Sequence, residues 1–141
     1  MKDLVIGIDP GKDTGYAVYS IVEGKLTTVT STDFWDAFIA VEELGPERVA
    51  EVVVEVPDNK HVWHGAAANA KANQRMGLNV GMAIREGELL AEGFRRRGYN
   101  VRTVHPRGKV DTKKFNAFTG WTGRTNQHAR DAALLCFRRG H

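Results

Sequence analysis

Leu4-Val5-Ile6-Gly7-Ile8-Asp9-Pro10-Gly11 is the stretch that decides the fold. Residues 3–9 are apolar almost throughout, so they read as a strand buried on both faces, the habit of a central strand covered by helices. Pro10-Gly11 turns the chain. Working outward, 16–21 and 26–31 read as strands joined by a tight turn at Glu23-Gly24-Lys25, which makes a meander with the first. Asp33 is placed to cap a helix running to Leu44, which Gly45-Pro46 stops. Val52–Val56 is a second buried strand. A polar, aromatic-studded loop covers 57–65. A helix follows from 66 to about 97, with Met76, Val80, Ala83 and Ile84, then Leu89, Leu90 and Phe94, at helical spacing. A strand at 99–104 ends at His105-Pro106. A short helix capped by Asp111 runs to 117, and the last helix spans 126–138. The order β-β-β-α-β-α-β-α-α predicts a single α/β domain, 1–141, with a mixed five-stranded sheet and helices on both faces.

The composition narrows the class. A chain of 141 residues that is 42% hydrophobic can build its own core. No run approaches the ~18 consecutive apolar residues of a membrane helix. The first residues form a strand pattern rather than a leader, so a cytoplasmic, non-membrane protein is expected. The single cysteine, Cys136, excludes an intrachain disulfide and Cys-rich zinc sites, and is expected on the inner face of the last helix. The net charge of +3 conceals an asymmetry. Residues 1–57 hold four basic against eleven acidic side chains, residues 58–125 thirteen against five, and residues 126–141 three against one. A basic middle beside an acidic first part favours a polyanionic partner; a solvated helix face is the plainer alternative.

Three acids stand out against this background. Asp9 and Glu55 each end a buried apolar run, and Asp131 lies in the helical segment His128-Ala129-Arg130-Asp131-Ala132-Ala133-Leu134-Leu135. Converging carboxylates repel one another unless a divalent cation sits between them. Each has an ordinary reading as well. Asp9 before Pro-Gly could form an Asx-turn, and Asp131 could pair with a neighbouring arginine on the helix surface. Glu55 is hardest to explain structurally, because burying an unpaired carboxylate is costly. His128 and Asp131, at i and i+3, share a helix face. His128 could be a ligand, hold a water, or be a plain surface histidine.

Gly7-Ile8-Asp9-Pro10-Gly11 with Thr14-Gly15-Tyr16-Ala17, then Val53-Val54-Glu55, then Gly77–Glu88, Lys113-Lys114 and His128–Leu135, resemble in order the motifs of RuvC-type Holliday-junction resolvases. These belong to the ribonuclease H-like superfamily. The resemblance spans nearly the whole chain. It implies a ribonuclease H-like fold with the first and fourth strands side by side. It implies a metal-dependent endonuclease that resolves four-way DNA junctions by paired nicking, leaving 5′-phosphate and 3′-hydroxyl ends. Asp9, Glu55, His128 and Asp131 would be both catalytic and metal-binding residues. Two Mg²⁺ ions, replaceable by Mn²⁺, would be held ~4 Å apart with Asp9 bridging them. The family commonly has an acid where His128 stands, and an imidazole there suits Mn²⁺ better than Mg²⁺.

The resemblance also assigns DNA-binding roles. Lys113, Lys114 and Arg124 match phosphate-contacting positions, and Arg107 and Lys109 lie in the loop before them. Related proteins carry an aromatic wedge soon after the second acid. Asp58 stands at that position here, so Trp63, between His61 and His64, is the nearest candidate to stack on a base. Symmetric cutting implies a homodimer, with its contact on the helix after Gly65. Other readings keep the fold and change the role: a nuclease on RNA–DNA hybrids or on branched or flap DNA, or a non-catalytic DNA-binding module. A sugar-kinase or actin-like phosphate loop at Asp9-Pro10-Gly11 would need well over twice this length.

Overall fold

The computed structural model describes residues 1–57 and 70–140. Trp63, Asp58, His61 and His64 lie outside them. The described elements are β1 (Leu4–Asp9), β2 (Thr14–Ser20), β3 (Lys25–Thr32), α1 (Phe34–Leu44), β4 (Val49–Glu55), α2 (Ala70–Arg96), β5 (Val101–Val104), α3 (Thr112–Thr119) and α4 (Gln127–Cys136). The sheet runs β3-β2-β1-β4-β5. The β1–β2 and β2–β3 pairs are antiparallel, and β4 pairs in parallel with both β1 and β5. This is the expected α/β architecture with a mixed sheet, and it is compatible with a ribonuclease H-like fold. Among the described residues no helix is long and apolar enough to cross a membrane.

Local chemistry sets the element ends. Asp33, Asp111 and Asn126 each cap a helix, accepting from the N–H groups of Asp36, Lys114 and Ala129 at 2.8 Å. Gly98, at φ +92°, ends the α2 region; Tyr99 then folds back and donates its N–H to the Phe94 carbonyl at 3.0 Å. That turn delays β5 to Val101, later than its apolar pattern suggests. β2 and β4 begin earlier than expected, because Thr14 pairs with Thr32 and Val49 with Leu4. α4 stops at Cys136, since Phe137 is extended and Arg138 takes φ +61°.

Two cores sandwich the sheet. On one face Ile6, Ile8, Val52 and Val54 meet Val41 of α1 and Leu90 and Phe94 of α2. Phe38 stacks on Phe94 with ring centroids 5.1 Å apart. Leu89 does not join its neighbour Leu90 in this core and is 47% exposed. Adjacent helical positions diverge by about 100°, so only one of the two can face the sheet. On the other face Val5, Ala17, Tyr19 and Val53 meet Ala132, Ala133 and Cys136 of α4 and Phe115 of α3. Cys136 is buried on the inner face of α4, as its sequence position suggests.

The α4 face depends on missing side chains. A Cβ on Gly7 would stand 2.0 Å from the Ala132 carbonyl oxygen, and one on Gly15 would stand 1.9 Å from that of His128. The backbone of α4 therefore rests directly on the glycines of β1 and β2. Across the sheet, a Cβ on Gly87 of α2 would come within 3.2 Å of the Glu55 carbonyl oxygen. The glycine lets α2 pass close to the strand ends that carry Asp9 and Glu55.

Candidate metal centre

Asp9 and Glu55 come together through strand register. β1 and β4 run in parallel with Ile8 opposite Val54, so the next residues, Asp9 and Glu55, end adjacent strands at the same level. Side chains alternate along a strand. Asp9 therefore shares a face with Gly7, and Glu55 with Val53, and that is the face covered by α4. The close seat of α4 brings Asp131 over them. One ligand oxygen each from Asp9, Glu55 and Asp131 lies within 4.8 Å of the other two.

The electrostatics are those of a site short of positive charge. Asp9 and Glu55 are both buried. Burial pushes Glu55 up to about 9, helped by its hydrogen bond to Asp9 and by the negative charges of Asp9 and Asp131. Burial likewise raises Asp9, as does Asp131, while the hydrogen bond from Glu55 and the charge of Lys109 act in the opposite sense. Without a cation, burial and mutual repulsion disfavour the ionised form of both carboxyls. Among the described residues no lysine or arginine forms an ion pair with any of the three acids. Three hard oxygen donors converging without a basic partner fit a divalent cation of the Mg²⁺ or Mn²⁺ type.

His128 stands beside this group rather than in it. Its Nδ1 lies 3.1 Å from Asp9 Oδ2, and its side chain is 46% exposed. It is not among the residues whose ligand atoms all fall within 4.8 Å of one another. In this geometry its side-chain contact is with Asp9.

The basic candidates divide by position. Arg107 lines a cleft of 270 Å³ together with Glu55 and Asp131, and His105 and Leu135 form part of its wall. Lys109 is close enough for its charge to act on both Asp9 and Glu55. Lys113 and Lys114 are exposed in the first turn of α3, and Arg124 is exposed just before α4. Among the described residues none of these five has an acidic partner within 4 Å, whereas Arg85, Arg96, Arg97, Arg102 and Arg139 each engage a glutamate.

Sequence reasoning missed two residues. Arg130, a possible surface partner for Asp131 by sequence, is instead buried and turned away from it. Its guanidinium donates to the carbonyls of Val110 and Thr125, to the hydroxyls of Thr112 and Thr125, and to Gln127. The neighbour that does touch Asp131 is Gln127, whose Nε2 donates to Oδ1 at 2.7 Å. The i, i+4 spacing of Gln127 and Asp131 on a helix was the available signal. No family model matches the chain, and no curated protein is significantly similar to it.

Proposed function

We propose that the protein is a metal-dependent endodeoxyribonuclease of the RuvC type that resolves four-way DNA junctions by paired nicking. The observation that carries this reading is the convergence of Asp9, Glu55 and Asp131 within 4.8 Å, from two strand ends and a helix. These carboxylates would hold Mg²⁺ or Mn²⁺, two ions per site, with His128 steadying Asp9. Bound divalent ions supply activation of the attacking water and charge stabilisation at the phosphate. The chain itself supplies the donor set, the burial that strips water from it, and cations for flanking phosphates.

Those cations are Arg107 and Lys109 beside the acids, and Lys113, Lys114 and Arg124 on the flanking segments. All lack acidic partners among the described residues, so their charge is available to a polyanion. A homodimer fits the apolar side chains that α2 exposes: Leu78 at 65%, Met82 at 54% and Leu89. It would present two sites to the two strands that must be cut. The setting is cytoplasmic, in a bacterium or a phage-infected cell.

The test is cleavage of a synthetic four-way junction in Mg²⁺ and in Mn²⁺, with linear duplex and RNA–DNA hybrid as controls. Paired symmetric nicks with 5′-phosphate ends are expected, lost in Asp9→Asn while junction binding persists. Faster cutting of the hybrid would replace the resolvase reading with a ribonuclease H-type activity. Tight junction binding without cutting in either metal would leave a DNA-binding module.

A further inference from the structure

We propose that Gln127 is a positioning residue for Asp131, held in its working orientation by the buried guanidinium of Arg130. The inference rests on the metal-centre reading above and names a part of it that lies outside the acidic group. Arg130 is only 9% exposed, yet its acceptors are all neutral. A buried cation without a carboxylate partner is an expensive choice for stability alone. Its geometry explains what it accomplishes.

The Arg130 Nη2 donates to Gln127 Oε1 at 3.1 Å. A guanidinium has no acceptor, so the amide oxygen must face it. That fixes the direction of the amide, and Gln127 Nε2 must then point the other way. It donates to Asp131 Oδ1 at 2.7 Å. Among the described residues Oδ2 of Asp131 has no donor. The relay therefore holds the carboxylate by one oxygen and leaves the other free to face a cation. An unanchored aspartate on a helix surface would sample several rotamers and lose entropy on binding metal.

The same guanidinium grips the segments that carry the basic candidates. Its bonds to Val110 and Thr112 fix the stretch between Lys109 and Lys113, and its bonds to Thr125 fix the residue after Arg124. One buried cation thus sets both the acid that faces the metal and the loops that would face phosphate.

The experiment is direct titration of the full chain with Mn²⁺, followed by calorimetry or by the free-ion paramagnetic signal, on wild type and Gln127→Met. Methionine keeps the length and removes the amide, while Arg130 retains its bonds to Val110, Thr112 and Thr125. Mn²⁺ affinity is expected to fall about 10- to 100-fold, with the thermal midpoint nearly unchanged. Excess Mn²⁺ should restore the wild-type turnover on a junction, because the loss is one of metal affinity. Gln127→Ala repeats the measurement without added bulk and should show the same loss. Affinity within about twofold of wild type in both variants, or a fall in stability without a fall in affinity, overturns the relay while leaving the metal centre standing. A wild-type chain that binds no Mn²⁺ overturns the metal centre and the relay together.

Discussion

The two faces of the sheet are built by opposite means. The face under α1 and α2 is filled by large side chains, with Phe94 fully buried and stacked on Phe38. The face under α4 is closed by removing side chains, with Gly7 and Gly15 admitting the carbonyl oxygens of Ala132 and His128. The first solution stabilises by burying apolar area. The second fixes a distance, because a helix backbone seated on a strand has little freedom to shift. The acids sit on the second face, where placement matters more than bulk.

Substitutions on each face should separate these two properties. The largest loss of stability is expected from Phe94→Ala, at about 3–5 kcal/mol. Urea unfolding should register it, while Mn²⁺ affinity measured at a temperature where the chain remains folded stays near wild type. A smaller loss, about 1–3 kcal/mol, is expected for Gly15→Ala through overpacking. Here Mn²⁺ affinity should fall with it, since displacing α4 moves Asp131. If Gly15→Ala binds metal normally, the close seat of α4 is not what sets the site.

The subtlest contrast is in pH dependence. Glu55 rises from its ordinary 4.5 to about 9 in the folded chain. Between those values the folded state holds a proton that the unfolded state has released. Metal-free stability therefore falls as pH rises through that window. Thermal melts in EDTA should show the decline, and Glu55→Gln should flatten most of it. The raised Asp9 carboxyl contributes a change of the same sign. An unchanged pH profile in Glu55→Gln would mean that Glu55 is already ionised in the folded chain.

Much of this was legible from residue patterns. Glu55 was visible because a carboxylate ending a buried apolar run has no comfortable structural role; Asp9, open to an Asx-turn by itself, gained its weight from Glu55, and the paired register of β1 and β4 places the two side by side. Asp131 was visible through its place on an amphipathic helix. The role of Arg130 was hidden, because its acceptors at 110, 112 and 125 are carbonyls and hydroxyls that carry no sequence signature. His128 was legible as a neighbour of the acids but not as a partner of Asp9 alone, since spacing gives the face and not the distance. Leu89 looked like core by spacing, and its exposure follows from Leu90 having taken the inward direction. The close approach at Gly15 was invisible, because a glycine in a strand reads first as a weakness.

The order in which the acids are synthesised has a consequence for when they can meet. Glu55 leaves the ribosome well before Asp131, and at ordinary translation rates the interval is about 4–15 s. Through that interval the emerging chain carries two strand-end carboxylates and a bare strip of glycine where α4 will dock. The third acid arrives on the helix that closes the strip, so the acidic cluster and the closed sheet face come into being in one event. A nascent fragment that lacks α4 holds only two of the three carboxylates and cannot assemble the cluster.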